Sequence, residues 1–182
     1  GSSAASGVYK RQARSGARVL AVARSAGKLQ ALAGEAPASI EPVVADLALV
    51  REVRALVCAL AARGERIDVL LNNGHAALAA DWNSVTAEQF TKHLANATGY
   101  FELARLVRNA AVANQQPASI IMLGSMYGVV GSYPDAYADV CPASPVAYHT
   151  LKGGIVHIFG MNVRDVRRVT RDAHFVFQPR CR

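Results

Sequence analysis

Short apolar segments alternate with amphipathic helical patterns along this chain, and this alternation limits the folds it can adopt more than any other feature. The apolar segments cover residues 18–23, 40–45, 67–71, 119–123 and 173–177. Continuous apolar runs of this length are typical of strands that are buried on both faces of a parallel sheet. Because helical patterns lie between them, the order predicts an α/β fold with a doubly wound parallel sheet and helices on both faces.

Three of the helical patterns have defined ends. The first, residues 50–62, carries apolar residues at helical spacing and is followed by Gly64 as a stop. Thr86 and Gln89 have the spacing of a capping box that opens a second helix through residue 112. A third pattern runs from Tyr148 to about residue 163. We expect the whole chain to form a single, incomplete Rossmann-like domain whose first and last strands are missing.

Composition excludes several classes of protein. Apolar residues make up 52% of the 182 residues and charged residues 18%, which is typical of a folded domain. No apolar stretch reaches the ~20 residues that a membrane-spanning helix needs. The net charge of +7 permits contact with phosphates, but no nucleic-acid-binding module accompanies it. The three cysteines form neither a zinc pattern nor a disulfide framework, so we expect no metal and a reducing, cytoplasmic setting.

The start of the chain has features of a dinucleotide site. Gly1 and Gly7 bracket a run of small residues, and a helix-like stretch follows. Glycines at a strand-to-helix turn let the backbone approach a pyrophosphate, although such runs are also common in flexible linkers.

Two side chains at the ends of apolar segments extend this hypothesis. Arg24 follows segment 18–23 where an acidic residue would select NAD(H). An arginine can instead pair with a 2′-phosphate, which favours NADP(H), and the alternative is an ordinary surface arginine. Asp46 ends segment 40–45 and is placed either to accept a hydrogen bond from an adenine amino group or to cap the following helix.

Tyr148 and Lys152 form the strongest chemical pattern. Residues i and i+4 share one face of a helix, so the phenol and the ammonium would be neighbours. A free tyrosine ionises near pH ~10, and a nearby cation favours the phenolate. Such a tyrosine can act as general acid or base on a carbonyl/alcohol pair.

Two further polar residues support this chemistry. Ser125 follows segment 119–123, at the carboxyl end of a strand, where such sheets bind ligands. Asn96 lies within a helical pattern, although asparagine is a poor helix former. This indicates a polar role, such as holding a water molecule, and the alternative is an ordinary asparagine on the surface.

Together these residues resemble the short-chain dehydrogenase/reductase family, and the match runs in order over almost the whole chain. The opening is similar to the family's G-x-x-x-G-x-G turn, with Ala5 in place of the middle glycine. Asn72-Asn73-Gly74 is similar to its N-N-A-G element, and Pro179 lies at about the distance of its Pro-Gly. The resemblance implies hydride transfer between a nicotinamide cofactor and a carbonyl, with a small-molecule alcohol or carbonyl as substrate.

The resemblance also implies roles residue by residue. Asn96, Ser125, Tyr148 and Lys152 fall on the family's four catalytic positions. Tyr148 would transfer the proton, Lys152 would bind the nicotinamide ribose, and Asn96 would anchor the water that relays protons to Lys152. The cofactor-binding residues would be Gly1, Ser3, Gly7, Arg24, Asp46, Leu47, Asn73, Gly74, Tyr148, Lys152 and Pro179.

The family pairs the matching helices between subunits, so a homodimer or homotetramer is expected. The apolar residues offered for that contact are Leu103, Leu106, Val107, Ile155, Ile158 and Phe159.

Several departures leave alternatives open. His75 and Arg180 replace glycines of the family pattern, which favours a non-catalytic or degenerate cofactor-binding homologue. The shared Tyr/Lys pair leaves a sugar-nucleotide epimerase or dehydratase as a further alternative. The interval from Ser125 to Tyr148 is long and resembles members encoded with bacterial surface-sugar and flagellin-glycan pathways. Its tyrosines would either contact such a ligand or be structural: Tyr127, Tyr133 and Tyr137.

Overall fold

Strands and helices alternate along the chain, as the sequence predicts. The computed structural model describes residues 3–74, 80–133, 145–166 and 173–177. The elements are α1 (Ser3–Arg14), β1 (Val19–Ala23), α2 (Ala26–Glu35), β2 (Ile40–Val44), α3 (Val50–Ala62), β3 (Val69–Asn72), α4 (Ala87–Ala113), β4 (Ser119–Gly124), the 3₁₀ helix η1 (Met126–Gly128), α5 (Val146–Val166) and β5 (Ala173–Phe177). The predicted α/β class is confirmed.

All strand pairs are parallel, and they form two groups. β1 pairs with β2, with Val19 opposite Ile40. β4 lies between β3 and β5 in a three-stranded group. Within the described residues α1 is the first element, and no strand is hydrogen-bonded between β1 and β3.

Helix side chains join the two strand groups. Val53 and Leu56 of α3 form a buried cluster with Leu103 of α4. Val22 of β1 and Leu70 of β3 pack against the same cluster, one from each strand group. A separate cluster between α4, α5 and β4 supports the three-stranded group, and its members include Tyr100, Ile120 and Leu151.

The helix ends follow local chemistry where the sequence shows it. α3 has the predicted bounds, and Gly64 adopts a left-handed φ of +65° just after it, which favours glycine. Thr86 and Gln89 make both hydrogen bonds of the predicted capping box, at 3.0 and 3.2 Å. α5 begins at Val146, two residues before the predicted start.

The prediction for the start of the chain needs correction. α1 already begins at Ser3, so Ala5 and Gly7 lie inside a helix rather than in an extended glycine-containing turn. α2 was not expected, because Gly27 and Gly34 weaken its helical pattern. Both glycines face open space, so neither marks a close backbone approach.

The apolar residues offered for subunit contacts also need correction. Leu103, Val107 and Ile155 are buried in the chain's own core, so they are unavailable to a partner subunit. Among the described residues, no helix has the length and apolar character needed to cross a membrane.

Candidate active site

Ser125, Tyr148 and Lys152 lie where η1 and α5 pack at the carboxyl end of β4. All three side chains are buried, with exposed fractions of 0%, 3% and 2%. Ser125 caps η1, because its hydroxyl oxygen accepts a hydrogen bond from the Tyr127 N–H at 3.2 Å. The Lys152 ammonium lies 5.7 Å from the centroid of the Tyr148 ring, as the helical spacing predicts. These buried polar groups make the junction of η1 and α5 the centre of the site.

Lys152 is held by the end of β4. Its Nζ donates a hydrogen bond to the Leu123 carbonyl oxygen at 2.5 Å. A charge-assisted bond of this length fixes the direction of a flexible side chain and keeps the ammonium beside the phenol.

Two contacts set the distance between η1 and α5. A Cβ built on Gly128 would lie 2.7 Å from the Lys152 carbonyl oxygen and 2.8 Å from its carbonyl carbon, so only glycine allows this approach. The rings of Tyr127 and His149 lie 4.8 Å apart, centroid to centroid. Burial lowers the pKa of His149, and hydrogen bonds to the Tyr127 and Val130 backbone oppose that shift. The sequence showed neither contact, because each joins residues on two separate elements.

Tyr127 is 6% exposed and its ring contacts His149, which supports the structural interpretation of this residue over contact with a sugar-like ligand. Tyr133 is 71% exposed, and Tyr137 lies outside the described residues.

Asn96 lies on the buried face of α4. It is 5% exposed, which excludes the surface position left open by the sequence, and its Nδ2 donates to the His93 carbonyl oxygen at 2.6 Å. One turn further along α4, the Tyr100 hydroxyl donates to the Gly74 carbonyl oxygen at 2.9 Å. Burial raises the pKa of Tyr100, and the nearby Tyr148 contributes to the shift. Tyr100 therefore connects Gly74 with the neighbourhood of Tyr148.

Asn72 is a site residue that sequence reasoning missed. Its Nδ2 donates to the Tyr100 carbonyl oxygen at 3.2 Å and lies 3.2 Å from the Met122 sulfur. This buried side chain joins β3, β4 and α4 beneath the predicted cofactor residues Asn73 and Gly74. In the sequence Asn72 is noted only as part of Asn72-Asn73-Gly74, and an asparagine at the end of an apolar segment was the available signal.

A cavity of about 430 Å³ connects the predicted cofactor end with α4. It brings together Arg24, Asp46, Leu47 and Gly74 with the catalytic candidate Asn96. Its other lining residues are Val22, Ala23, Ser25, Ala45 and Ala48. Predicted residues far apart in the sequence thus surround one space at the carboxyl ends of β1, β2 and β3, where open α/β sheets bind ligands.

The hydrogen bonds of Asp46 test whether this residue caps α3, which is one of its two interpretations. The N-cap of α3 is Leu49, so the suggestion that Asp46 caps this helix is wrong. Its Oδ1 instead accepts a hydrogen bond from the Ala48 N–H at 3.0 Å, within the turn after β2. The Asp46 N–H donates to the Glu52 carboxylate at 2.7 Å, a contact that the sequence did not suggest.

Some predicted positions lie outside the described residues, namely Gly1, His75, Pro179 and Arg180, with part of the long interval, residues 134–144. Gly7 is exposed, and both it and Ser3 lie near the start of α1, outside the cavity lining. Over the described part of the chain, no cluster of metal-ligating side chains is present.

Comparison with known proteins identifies the class of the chain. Residues 5–138 match the family model for short chain dehydrogenases. The chain therefore belongs to the short-chain dehydrogenase/reductase family, and the resemblance seen in the sequence is confirmed.

Particular relatives narrow the comparison. The chain is 36% identical to carbonyl reductase [NADPH] 2 of Sus scrofa over 121 residues, which are 66% of this chain and 47% of the relative. It is 33% identical to L-xylulose reductase of Homo sapiens over 111 residues, 60% of this chain and 43% of the relative. The chain thus matches somewhat less than half the length of these relatives.

Solved structures show the same fold. A metagenomic short-chain oxidoreductase in complex with NADP gives a TM-score of 0.79 at 22% identity, over 96% of this chain and 76% of that one. A short-chain dehydrogenase from Streptomyces avermitilis gives 0.78 at 17% identity, over 93% and 58%. At these identities the likeness concerns the fold alone, and it confirms the Rossmann-like class.

Proposed function

We propose that the chain is the cofactor-binding and catalytic part of an NADP(H)-dependent oxidoreductase that interconverts an alcohol and a carbonyl. The observation that carries the proposal is the buried group of Ser125, Tyr148 and Lys152 at the junction of η1 and α5. Burying a serine, a tyrosine and a lysine costs free energy unless the groups are hydrogen-bonded, and a group of such residues in one place is typical of a functional site. A bound nicotinamide would supply or accept the hydride.

Each residue has a defined part in the proton transfer. Tyr148 gives its hydroxyl proton to the carbonyl oxygen in reduction and recovers one in oxidation. Ser125 orients and polarises the same oxygen with its hydroxyl. Lys152 places its ammonium 5.7 Å from the centroid of the Tyr148 ring and would bind the ribose hydroxyls of the nicotinamide. Asn96, held by the His93 carbonyl, would retain the water that returns protons to Lys152.

The cavity fits a dinucleotide that carries a 2′-phosphate. Arg24 directly follows β1 and lines the cavity, and Ser25 beside it makes no capping hydrogen bond with its side chain. An acidic residue at this position would bind the free 2′-OH of NAD(H), whereas Arg24 supplies a cation that can pair with the 2′-phosphate of NADP(H). Asp46 and Leu47 line the same space, which supports an adenine site at the end of β2. The name of the porcine relative, carbonyl reductase [NADPH] 2, supports the same preference.

The decisive experiment compares NADPH and NADH binding by nicotinamide fluorescence. Wild-type chain should bind NADPH more tightly than NADH. Arg24→Ala should weaken NADPH binding at least tenfold and change NADH binding little. Arg14→Ala removes an exposed arginine from α1, outside the cavity, and serves as the matched control. Equal affinity of wild type for the two nucleotides would refute the NADP(H) assignment.

A screen of carbonyl compounds then separates the candidate functions. Turnover that is lost in Tyr148→Phe supports the oxidoreductase. NADPH binding without turnover of any carbonyl or sugar nucleotide supports the non-catalytic homologue, which the divergent His75 and Arg180 favour. Release of an epimerised or dehydrated sugar nucleotide without net change in NADPH would support the third candidate.

We also propose a homo-oligomer in the cytoplasm, with the outer face of α4 as the subunit contact. Phe101 and Val112 are each 39% exposed on this helix, and Arg105 lies over the Phe101 ring at 5.1 Å. The free thiol of exposed Cys58 fits a reducing compartment. Phe101→Glu should shift the mass measured by light scattering toward the monomer, and an unchanged mass would contradict this contact.

A further inference from the structure

The turn between β2 and α3 forms one wall of the cavity. Four consecutive residues, Ala45–Ala48, line the space beside Arg24, and the Ala45 N–H donates to the Ala23 carbonyl oxygen at 3.1 Å. The Leu49 N–H donates to the Asp46 carbonyl oxygen at 3.0 Å and closes this turn, but connections between elements are usually less stable than the strands and helices they join. A wall that must match a ligand therefore needs to be held in place by other residues.

Glu52 holds this turn from the side of α3. Its Oε2 accepts a hydrogen bond from the Asp46 N–H at 2.7 Å, and Asp46 Oδ1 accepts from the Ala48 N–H at 3.0 Å. The two bonds act in series, because the first fixes the Asp46 backbone and the second fixes its carboxylate. Hydrogen bonds to charged groups are the stronger ones in proteins.

Gly99 holds the turn from the side of α4. A Cβ built at Gly99 would lie 1.8 Å from the Leu47 carbonyl oxygen and 2.9 Å from its carbonyl carbon, so the two backbones touch. Glycine in a helix interior costs about 1 kcal/mol relative to alanine, and this contact accounts for it. Gly99 follows Asn96 by three positions, so both lie on the same side of α4.

We propose that Glu52 and Gly99 are positioning residues, which hold the Asp46–Ala48 turn against α4 and so set the distance between the adenosine side of the cavity and Asn96. Neither residue lines the cavity. The choice of NADPH as ligand rests on the proposed function. The positioning itself rests on the contacts of Glu52 with Asp46 and of Gly99 with Leu47.

The first test compares two replacements of Glu52 in the full chain. Glu52→Gln keeps an acceptor for the Asp46 N–H, whereas Glu52→Ala removes it. We expect Glu52→Ala to weaken NADPH binding about tenfold and Glu52→Gln to restore most of the affinity. Glu88→Ala removes a first-turn carboxylate from α4 and controls for the general effect of such a charge on a helix. Equal NADPH affinity in Glu52→Ala and wild type would overturn the proposal.

The second test replaces Gly99 with alanine. This variant should bind NADPH at least tenfold more weakly, because the turn must move away from α4. Gly34→Ala adds the same methyl group to α2, where nothing lies within 4 Å, and should bind as wild type. Wild-type affinity in Gly99→Ala would overturn the role of this contact. If that variant does not fold, the comparison of Glu52→Ala with Glu52→Gln decides.

Amide hydrogen exchange separates this proposal from the proposed function. In the chain without nucleotide, the Asp46 amide should exchange at least tenfold faster in Glu52→Ala than in wild type, and Glu52→Gln should protect it. If wild type bound neither nucleotide, the proposed function would fail. The exchange rate of the Asp46 amide would still test whether Glu52 holds the turn. Unchanged exchange at Asp46 would overturn the role of Glu52.

Discussion

The close approach of η1 and α5 at Gly128 gives the sharpest prediction from this structure. In Gly128→Ala the new methyl carbon would lie 2.7 Å from the Lys152 carbonyl oxygen, 2.8 Å from its carbonyl carbon and 3.0 Å from the Gly153 nitrogen. All three are backbone atoms, so no side chain can rotate away to make room. The two elements must separate by several tenths of an ångström or more.

The expected cost follows from overpacking. Added methyl groups in well-packed regions destabilise by about 1–3 kcal/mol, and a backbone-to-backbone clash belongs at the upper end. For a domain of this size, about 2 kcal/mol corresponds to a decrease in Tm of about 4–8 °C. The same movement draws Ser125 away from Tyr148, and a misplacement near 1 Å can cost about 100-fold in rate.

Thermal unfolding followed by circular dichroism measures the first effect, and kcat on any carbonyl substrate measures the second. Gly131→Ala is the matched control, because it lies three residues further along and nothing surrounds its Cβ position within 4 Å. A Gly128→Ala variant with the Tm and kcat of wild type would refute the argument that this contact sets the geometry of the site.

Three further predictions concern other parts of the chain. Tyr148→Phe should lower kcat by about 100-fold or more with NADPH affinity kept, as single-turnover kinetics and fluorescence titration can check; retained turnover would exclude this phenol as the proton donor. His149→Ala should lower Tm more than His149→Phe, because only the latter keeps a ring against Tyr127; equal values would show that the ring contact is unimportant. Arg63 and Arg18 lower the pKa of Glu41 to about 2, so the stability that this carboxylate contributes is present above its unfolded value near ~4.3 and is lost as pH falls toward 2. Acid unfolding of Glu41→Gln should therefore be less steep over that window, and an identical profile would contradict the ion pairs.

The elements that the sequence predicted are those whose signals are local. The Thr86 capping box and the bounds of α3 follow from residues within one turn of each other. The apolar segment at 173–177 matches β5 residue for residue. By contrast, α2 escaped prediction because its two glycines break the pattern, and Asp46 was wrongly offered as a helix cap because its true partner lies within its own turn.

The site shows the same division. The spacing of Tyr148 and Lys152 is a property of a single helix, so their proximity could be predicted. The distance between Ser125 and that helix depends on Gly128, and the wall near Arg24 depends on Glu52 and Gly99. These contacts join separate elements, so a single sequence holds no periodic signal for them.

Helix α4 is the element that brings the two halves of the site into one geometry. Asn96 lines the cavity and Gly99 touches the turn after β2, on the side of the two-stranded group. Tyr100 bonds to Gly74 after β3, and Leu103 packs in the cluster that receives side chains from both strand groups. Because no strand among the described residues bridges β1 and β3, side chains of α3 and α4 join the two halves, and this face of α4 is part of that contact. Substitutions on that face should therefore weaken NADPH binding and lower kcat together, whereas Gly128→Ala at η1 should lower kcat and Tm.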